Sequence, residues 1–273
     1  MKDTAKNTAK NTAKNSEPMK RVVKLGGRAQ SAEALPALIA NAWTASGGAL
    51  CIVHGGGDEI TALQRVLGSE PKFAGGRRIT TAADLDVIRM VLSGVVNKRL
   101  VARFSAAGVP TVGISGEDAS LIAAQPLGIA EFGHVGMPSR INTSIIESLW
   151  LAGFMPVVSP LGSNADAPGA ALNVNGDDAA AALAVALGAD ELLLVADVEG
   201  VLDAGGIVIA EVDVDDARAL IASGVAMGGM AAKLEAAYAA LAGGVRTVRI
   251  ANMTGLEDAG CGTYLSLATV GVR

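Results

Sequence analysis

Short apolar runs that stop at glycine, each followed by a helical stretch, decide what this chain can fold into. Val22 to Gly26 and Ala49 to His54 are two such runs, and between them Leu35, Leu38, Ile39 and Trp43 share one face of a helix predicted over about 31–45. Strand, helix and strand in that order form a βαβ unit, whose strands lie parallel. The alternation continues with helices predicted over about 58–67, 82–107, 143–152 and 177–187 and strands near 112–115, 121–124, 155–159 and 192–196. A Gly133-His134-Val135-Gly136 turn segment reads as a hairpin. The expected class is α/β, a doubly wound and mainly parallel sheet. On such sheets ligands gather beyond the carboxyl ends of the strands, where Gly26, His54 to Gly57 and Asp197 would stand.

A length of 273 residues suffices for one large α/β domain or two lobes. The hydrophobic fraction of 51% comes largely from alanine and glycine-flanked runs, and no stretch is long enough without charge or turn signals to cross a membrane. With 22 basic against 27 acidic residues and only 3% aromatics, neither a basic groove nor a stacking platform for nucleic acid is expected. A small-molecule substrate is the partner that remains. Cys51 and Cys261 form no CxxC pair and nothing resembles a secretory signal, so a cytoplasmic protein is expected, with Cys51 part of the core. Thr-Ala-Lys-Asn recurs between Thr4 and Asn15 with nothing large and apolar to bury, so residues 1–18 are expected as a disordered polar tail and 19–273 as the folded part.

Two lysines stand beside paired glycines. Lys24 interrupts an apolar strand just before Gly26-Gly27; a buried ammonium is costly without a partner, so it either snorkels at an edge or reaches an anion. Lys233 lies just inside a helix predicted to start near Met230, after Gly228-Gly229, and is either a solvated charge or part of an anion site. Gly26-Gly27 and Gly55-Gly56-Gly57 serve as plain turns or as backbone N–H donors to phosphate or an oxyanion. Asp177 can cap its helix and Asn173 can make a turn, roles that leave ligand contact open. Together these residues describe a phosphoryl-transfer site without a Walker loop.

Taken in order, Lys24-Leu25-Gly26-Gly27, Val53-His54-Gly55-Gly56-Gly57, Gly76-Arg77-Arg78-Ile79-Thr80, Val96-Asn97-Lys98, Gly133-His134-Val135-Gly136, Leu172 to Asp177, Asp197 to Leu202, Gly229-Met230 with Lys233, and Gly262-Thr263 resemble the amino acid kinase family. The resemblance implies a three-layer α/β/α sandwich, with an acyl-amino-acid lobe and dimer surface at about 19–165 and a nucleotide lobe at about 166–273. It implies a homodimer that transfers the γ-phosphoryl group of ATP to the side-chain carboxylate of an acylated amino acid, N-acetyl-L-glutamate first, as in arginine biosynthesis. N-succinylglutamate, a carrier-linked glutamate or 2-aminoadipate, and a non-catalytic nucleotide sensor are the alternatives. Carried over residue by residue, it makes Lys24, Lys233 and Asp177 catalytic, and puts Arg78, Asn173 and the backbone of Gly56 and Gly57 on the acyl substrate. It puts Gly26, Gly27, Asp197, Gly200, Leu202, Gly229 and Met230 around the nucleotide. Mg2+ is expected to bridge phosphates with no protein metal ligand, because no carboxylate cluster has ligand spacing. The chain departs from the family's usual pattern at three positions: Ala196 where a hydroxyl is common before the aspartate, Gly176 where alanine is usual, and Arg77 where an apolar residue is more common.

Overall fold

The computed structural model describes residues 18–74 and 76–267. The expected polar tail thus lies outside the described residues, Pro18 excepted. Strands run in the order β1 (Arg21–Leu25), β2 (Leu50–His54), β3 (Lys72–Ala74), β4 (Arg77–Ile79), β5 (Thr111–Ser115), β6 (Ile122–Pro126), β7 (Val135–Ile141), β8 (Met155–Ser159), β9 (Leu161–Asn164), β10 (Ala171–Val174), β11 (Glu191–Val195), β12 (Glu211–Asp213), β13 (Thr247–Ala251) and β14 (Thr263–Ser266). The helices are α1 (Leu35–Ala45), α2 (Gly57–Val66), α3 (Ala82–Arg89), α4 (Asn97–Ala106), α5 (Ile129–Phe132), α6 (Ser144–Leu151), α7 (Gly176–Leu187), α8 (Val214–Ala222) and α9 (Gly229–Ala242).

Eight strands form the central sheet in the order β12-β14-β13-β11-β1-β2-β8-β5, parallel throughout except for the antiparallel pair β13/β14. Both faces are covered, which is why β11 is apolar after Glu191 and why Arg21 and Lys24 stand out among the apolar residues of β1. On one face Val22, Val53, Leu192 and Leu194 pack beneath α7 and α9; on the other Val23, Leu25, Ile52 and Leu193 pack beneath α1 to α4. The alanines of α7 let it lie close to α9, since side-chain size at the contact sets the distance between helices. Burial raises the Cys51 thiol to about 12, as suits an inert core residue.

Two expectations are corrected. The single helix predicted over 82–107 is α3 and α4 joined by a π-helical stretch, Met90–Val96, which carries Gly94. Gly133 to Gly136 is not a tight turn: Val135 and Gly136 open β7, which pairs antiparallel with β6 across α5. Gly133 itself has φ +68°, and a side chain there would sit 2.2 Å from the Thr80 carbonyl oxygen, so only glycine fits. Beside the main sheet, β10, β7, β6 and β9 close on themselves, and β3 and β4 pair only with each other among the described strands.

Candidate active site

Lys24 is the fourth residue of β1, in register with Leu194 and Val53 on its neighbours, and is buried. It does not snorkel. Its Nζ lies 2.9 Å from Asp177 Oδ1. Lys233, in the second turn of α9, donates from Nζ to the same carboxylate at 2.9 and 3.2 Å. Asp177 does not cap its helix either. Asn175 is the N-cap of α7, its Oδ1 accepting from the amides of Asp177 at 2.8 Å and Asp178 at 3.3 Å, which frees the Asp177 carboxylate for the lysines.

Burial pushes the Asp177 carboxyl upward, but the two ammonium groups and their hydrogen bonds outweigh it and hold the group below the usual carboxylate range. Burial and the neighbouring Lys24 charge lower Lys233 to about 8 despite Asp177. Two buried cations thus share one anion, leaving an excess positive charge that a phosphoryl group would neutralise.

Next to this trio lies a cavity of about 200 Å³ lined by Gly55, Gly56, Gly57, Arg78, Asn173 and Gly176. The two features are contiguous: a Cβ on Gly176 would stand 3.3 Å from Lys24 Cε, so glycine at this departure from the usual alanine gives the lysine stem room. Arg78 is buried on β4, and its Nη2 donates to the Gly57 carbonyl and to Thr61 Oγ1, both at 2.9 Å, while Nη1 donates to Gln64 Oε1. Gly57, Thr61 and Gln64 fall four and seven apart on one face of α2, and Gln64 is held in turn by Asp84 of the Thr81/Asp84 capping box that starts α3. Phe73 stacks on the guanidinium at 4.8 Å. Across the cavity, Asn173 Nδ2 donates to Thr80 Oγ1 at 3.0 Å.

The glycine loop after β2 is set from below. Gly56 packs so closely on the π-helical stretch that a Cβ would meet Leu92 at 2.7 Å and Val96 at 3.3 Å. His54 is buried, and desolvation lowers it to about 4, so the ring is neutral. Its Nδ1 donates to the Gly55 carbonyl at 2.9 Å while Nε2 accepts from Asn97 Nδ2 at 3.2 Å, Asn97 also donating to the Val157 carbonyl. These partners fix the tautomer and leave His54 a structural part of the loop.

The residues assigned to the nucleotide divide. Gly26 and Gly27 follow β1, and Gly229 opens α9 behind Gly228, whose φ is +55° and which offers no side-chain cap; the Met230 amide donates to the Met227 carbonyl at 3.1 Å, which leaves the Gly229 and Ala231 amides for an anion. Met230 packs half-buried against the α7–α9 core. Asp197 follows β11 and is solvent-exposed, 3.7 Å from Arg28 Nε. Gly200 is buried by packing: a Cβ would lie 2.7 Å from Thr263 Oγ1, which accepts from the Val201 amide at 2.8 Å. Leu202 bridges to Val208, closing the loop. Among the described residues, no group of three His, Cys, Asp or Glu could hold a metal ion, and no helix is long and apolar enough to cross a membrane.

A mainly parallel sheet whose Lys24 shares one buried carboxylate with Lys233 of α9, between glycine-rich strand ends and a helix start without a side-chain cap, defines an α/β/α phosphotransferase. A model of the amino acid kinase family matches residues 19–252, and the chain belongs to that family. It is 46% identical over 199 residues to an acetylglutamate kinase of Ruegeria sp. (strain TM1040), covering 73% of this chain and 68% of that one. To the acetylglutamate kinase of Rubrobacter xylanophilus it is 45% identical over 225 residues, covering 82% and 85%. Among solved structures, smu.665 from Streptococcus mutans UA159 superposes with a TM-score of 0.81 at 32% identity, over 90% of this chain and 98% of that one.

Proposed function

We propose that this kinase transfers the γ-phosphoryl group of ATP to the side-chain carboxylate of N-acetyl-L-glutamate, a step of arginine biosynthesis. The observation that carries the reading is the Lys24–Asp177–Lys233 cluster beside a small cavity lined by Arg78, Asn173 and Gly176, the last against the Lys24 stem. Arg78 receives the α-carboxylate, for which a guanidinium fork is suited, and Asn173 takes the amide. The amides of Gly56 and Gly57 lie near the reacting carboxylate. Lys24 and Lys233 neutralise charge spreading over the transferred phosphoryl oxygens, and Asp177 keeps the two ammonium groups in place. No general base is required, because the nucleophile is already an anion at neutral pH; catalysis reduces to alignment and charge stabilisation.

ATP lies toward Gly26, Gly27, Gly229 and Met230, with Asp197 and the Gly200–Leu202 loop at its edge. Magnesium belongs on the phosphates, where it supplies charge neutralisation, and no protein ligand is assigned to it. The acyl substrate and the dimer surface occupy a lobe at about 19–165, the nucleotide one at about 166–273. A cytoplasmic homodimer built through the first lobe agrees with β5 being an edge strand and with Met90 and Val95 of the π-helical stretch being exposed. Arg77, the other cation near the cavity, is already paired with Asp178, which favours a neutral acetyl group over a succinyl group bearing a second carboxylate.

Arg78→Ala tests the acyl assignment. Losing a charged contact forfeits about 1.5–3 kcal/mol, so the KM for N-acetylglutamate should rise ~10- to 100-fold. The ATP KM should stay near wild type. Equal weakening for both substrates would make Arg78 structural. A coupled ADP-release screen of the wild type against N-acetylglutamate, N-succinylglutamate, aspartate, uridylate and carbamate tests the substrate class itself.

A further inference from the structure

The β3/β4 strand pair carries Arg78 into the cavity, yet it hydrogen-bonds as a sheet to neither the main sheet nor the closed four-stranded one. Its place must be fixed by other contacts. Past its end, Thr80 pairs with Gly133 and exchanges backbone hydrogen bonds with Phe132 and His134. At the opposite end, the tip approaches the start of α9: a Cβ built on Gly76 would stand 3.4 Å from the Gly228 carbonyl oxygen. Between these points, Arg77 Nη2 reaches Asp178 Oδ2 at 2.9 Å, with the two side chains 18% and 7% exposed. Asp178 directly follows Asp177, and the amides of both are capped by Asn175 Oδ1. One ion pair therefore ties the strand that presents Arg78 to the helix turn that presents the lysine-holding carboxylate.

The pair is not explained as a simple stabiliser. Burial raises the Asp178 carboxyl above its usual range even with Arg77 beside it, and Arg77 Nε is buried with no partner among the described residues. A buried ion pair of that kind gains little net stability and is better suited to fixing geometry. We propose that Arg77 and Asp178 are positioning residues, a latch that holds the β3/β4 pair against α7 and so sets Arg78 at the distance from the reacting centre that an acylated amino acid requires. The inference rests on the reading of the cavity as the acyl site.

The test uses Arg77→Met, Asp178→Asn and the double variant, each checked for folding by thermal melting. A misplaced binding group costs up to about 10²-fold, and each single change should raise the N-acetylglutamate KM ~10-fold, more than it lowers kcat, with the ATP KM within ~2-fold. The double variant should be no worse than the worse single one, because both changes break the same contact. KM effects that multiply in the double variant, or an unchanged KM in either single one, overturn the latch. Hydrogen–deuterium exchange of peptides covering 72–80 supplies a readout independent of substrate: it should quicken in both single variants while peptides from β1 and β11 do not change. Unchanged exchange over 72–80 also overturns the proposal, whereas quickened exchange in the variants together with a wild type that does not phosphorylate N-acetylglutamate would sink the substrate assignment and leave the latch standing.

Discussion

Lys24→Ala and Lys233→Ala should each lower kcat by ~10²-fold or more, with the KM for N-acetylglutamate little changed, because charge aimed at a developing anion acts on the transition state rather than on the bound substrate. The geometry makes the two losses comparable: both ammonium groups are buried, and each lies 2.9 Å from the same Asp177 oxygen. Removing either leaves the other neutralised by Asp177, so the excess positive charge disappears in both variants. The pH profile supplies a second readout. Lys233 is lowered to about 8, so in the free enzyme its charged, active form is present below that pH and is lost as pH rises through it. The wild-type kcat/KM should therefore fall on the alkaline side of about pH 8, and Lys233→Arg, which cannot deprotonate in this range, should lack that limb even if its rate is lower. A near wild-type kcat in either alanine variant removes that lysine from the mechanism, and a limb that survives in Lys233→Arg belongs to another group.

What could be read from the sequence followed burial. β1, β2, β8 and β11 are covered on both faces and stand out as mainly apolar runs, and the glycines that follow β1 and β2 bring their loops to one end of the sheet. The lysines were legible as anomalies against that background. The closed four-stranded sheet was not, because β9 reads Leu-Gly-Ser-Asn and β10 Ala-Leu-Asn-Val, sequences whose strand character comes from pairing rather than propensity. β12, β14 and α8 near the sheet's end were likewise missed; β12 is only Glu-Val-Asp. Within the site, Gly57, Thr61 and Gln64 lie on one face of α2, but nothing local in the sequence ties that face to Arg78, which joins it from β4. In sequence Asp177 reads as the cap of its helix, and only the fold shows that Asn175 takes that role. The π-helical stretch under Gly56 carries no signal beyond Gly94.

Glu191 is the other residue whose weight is visible only in the fold, and Glu191→Gln should destabilise the protein by ~3–5 kcal/mol, which for a chain of this size is a fall in Tm of ~6–20 °C. Taken from sequence, the strand begins at Leu192 and Glu191 falls in the preceding loop. In the structure it opens β11 and is 4% exposed, opposite Arg21 of β1 and Thr247 of β13. Its Oε2 accepts from Arg21 Nε at 2.6 Å, and its Oε1 accepts from Arg249 Nε at 2.8 Å and Nη2 at 2.6 Å. Arg249, 2% exposed, also donates to the carbonyls of Gly255, Asp258, Ala259 and Cys261, so it fixes the loop between β13 and β14. The glutamine keeps the shape and removes the charge, which leaves two buried guanidinium groups facing each other without an anion. Because Arg21 and Glu191 open their strands, away from Lys24 near the carboxyl end of β1, kcat measured well below Tm should change by less than ~3-fold. Thermal melting by circular dichroism and steady-state kinetics on the same preparation decide it. A Tm within ~2 °C of wild type would mean that water entering the 540 Å³ cavity beside Arg21 and Arg249 solvates the freed charges, and that the triad is a surface feature in energetic terms.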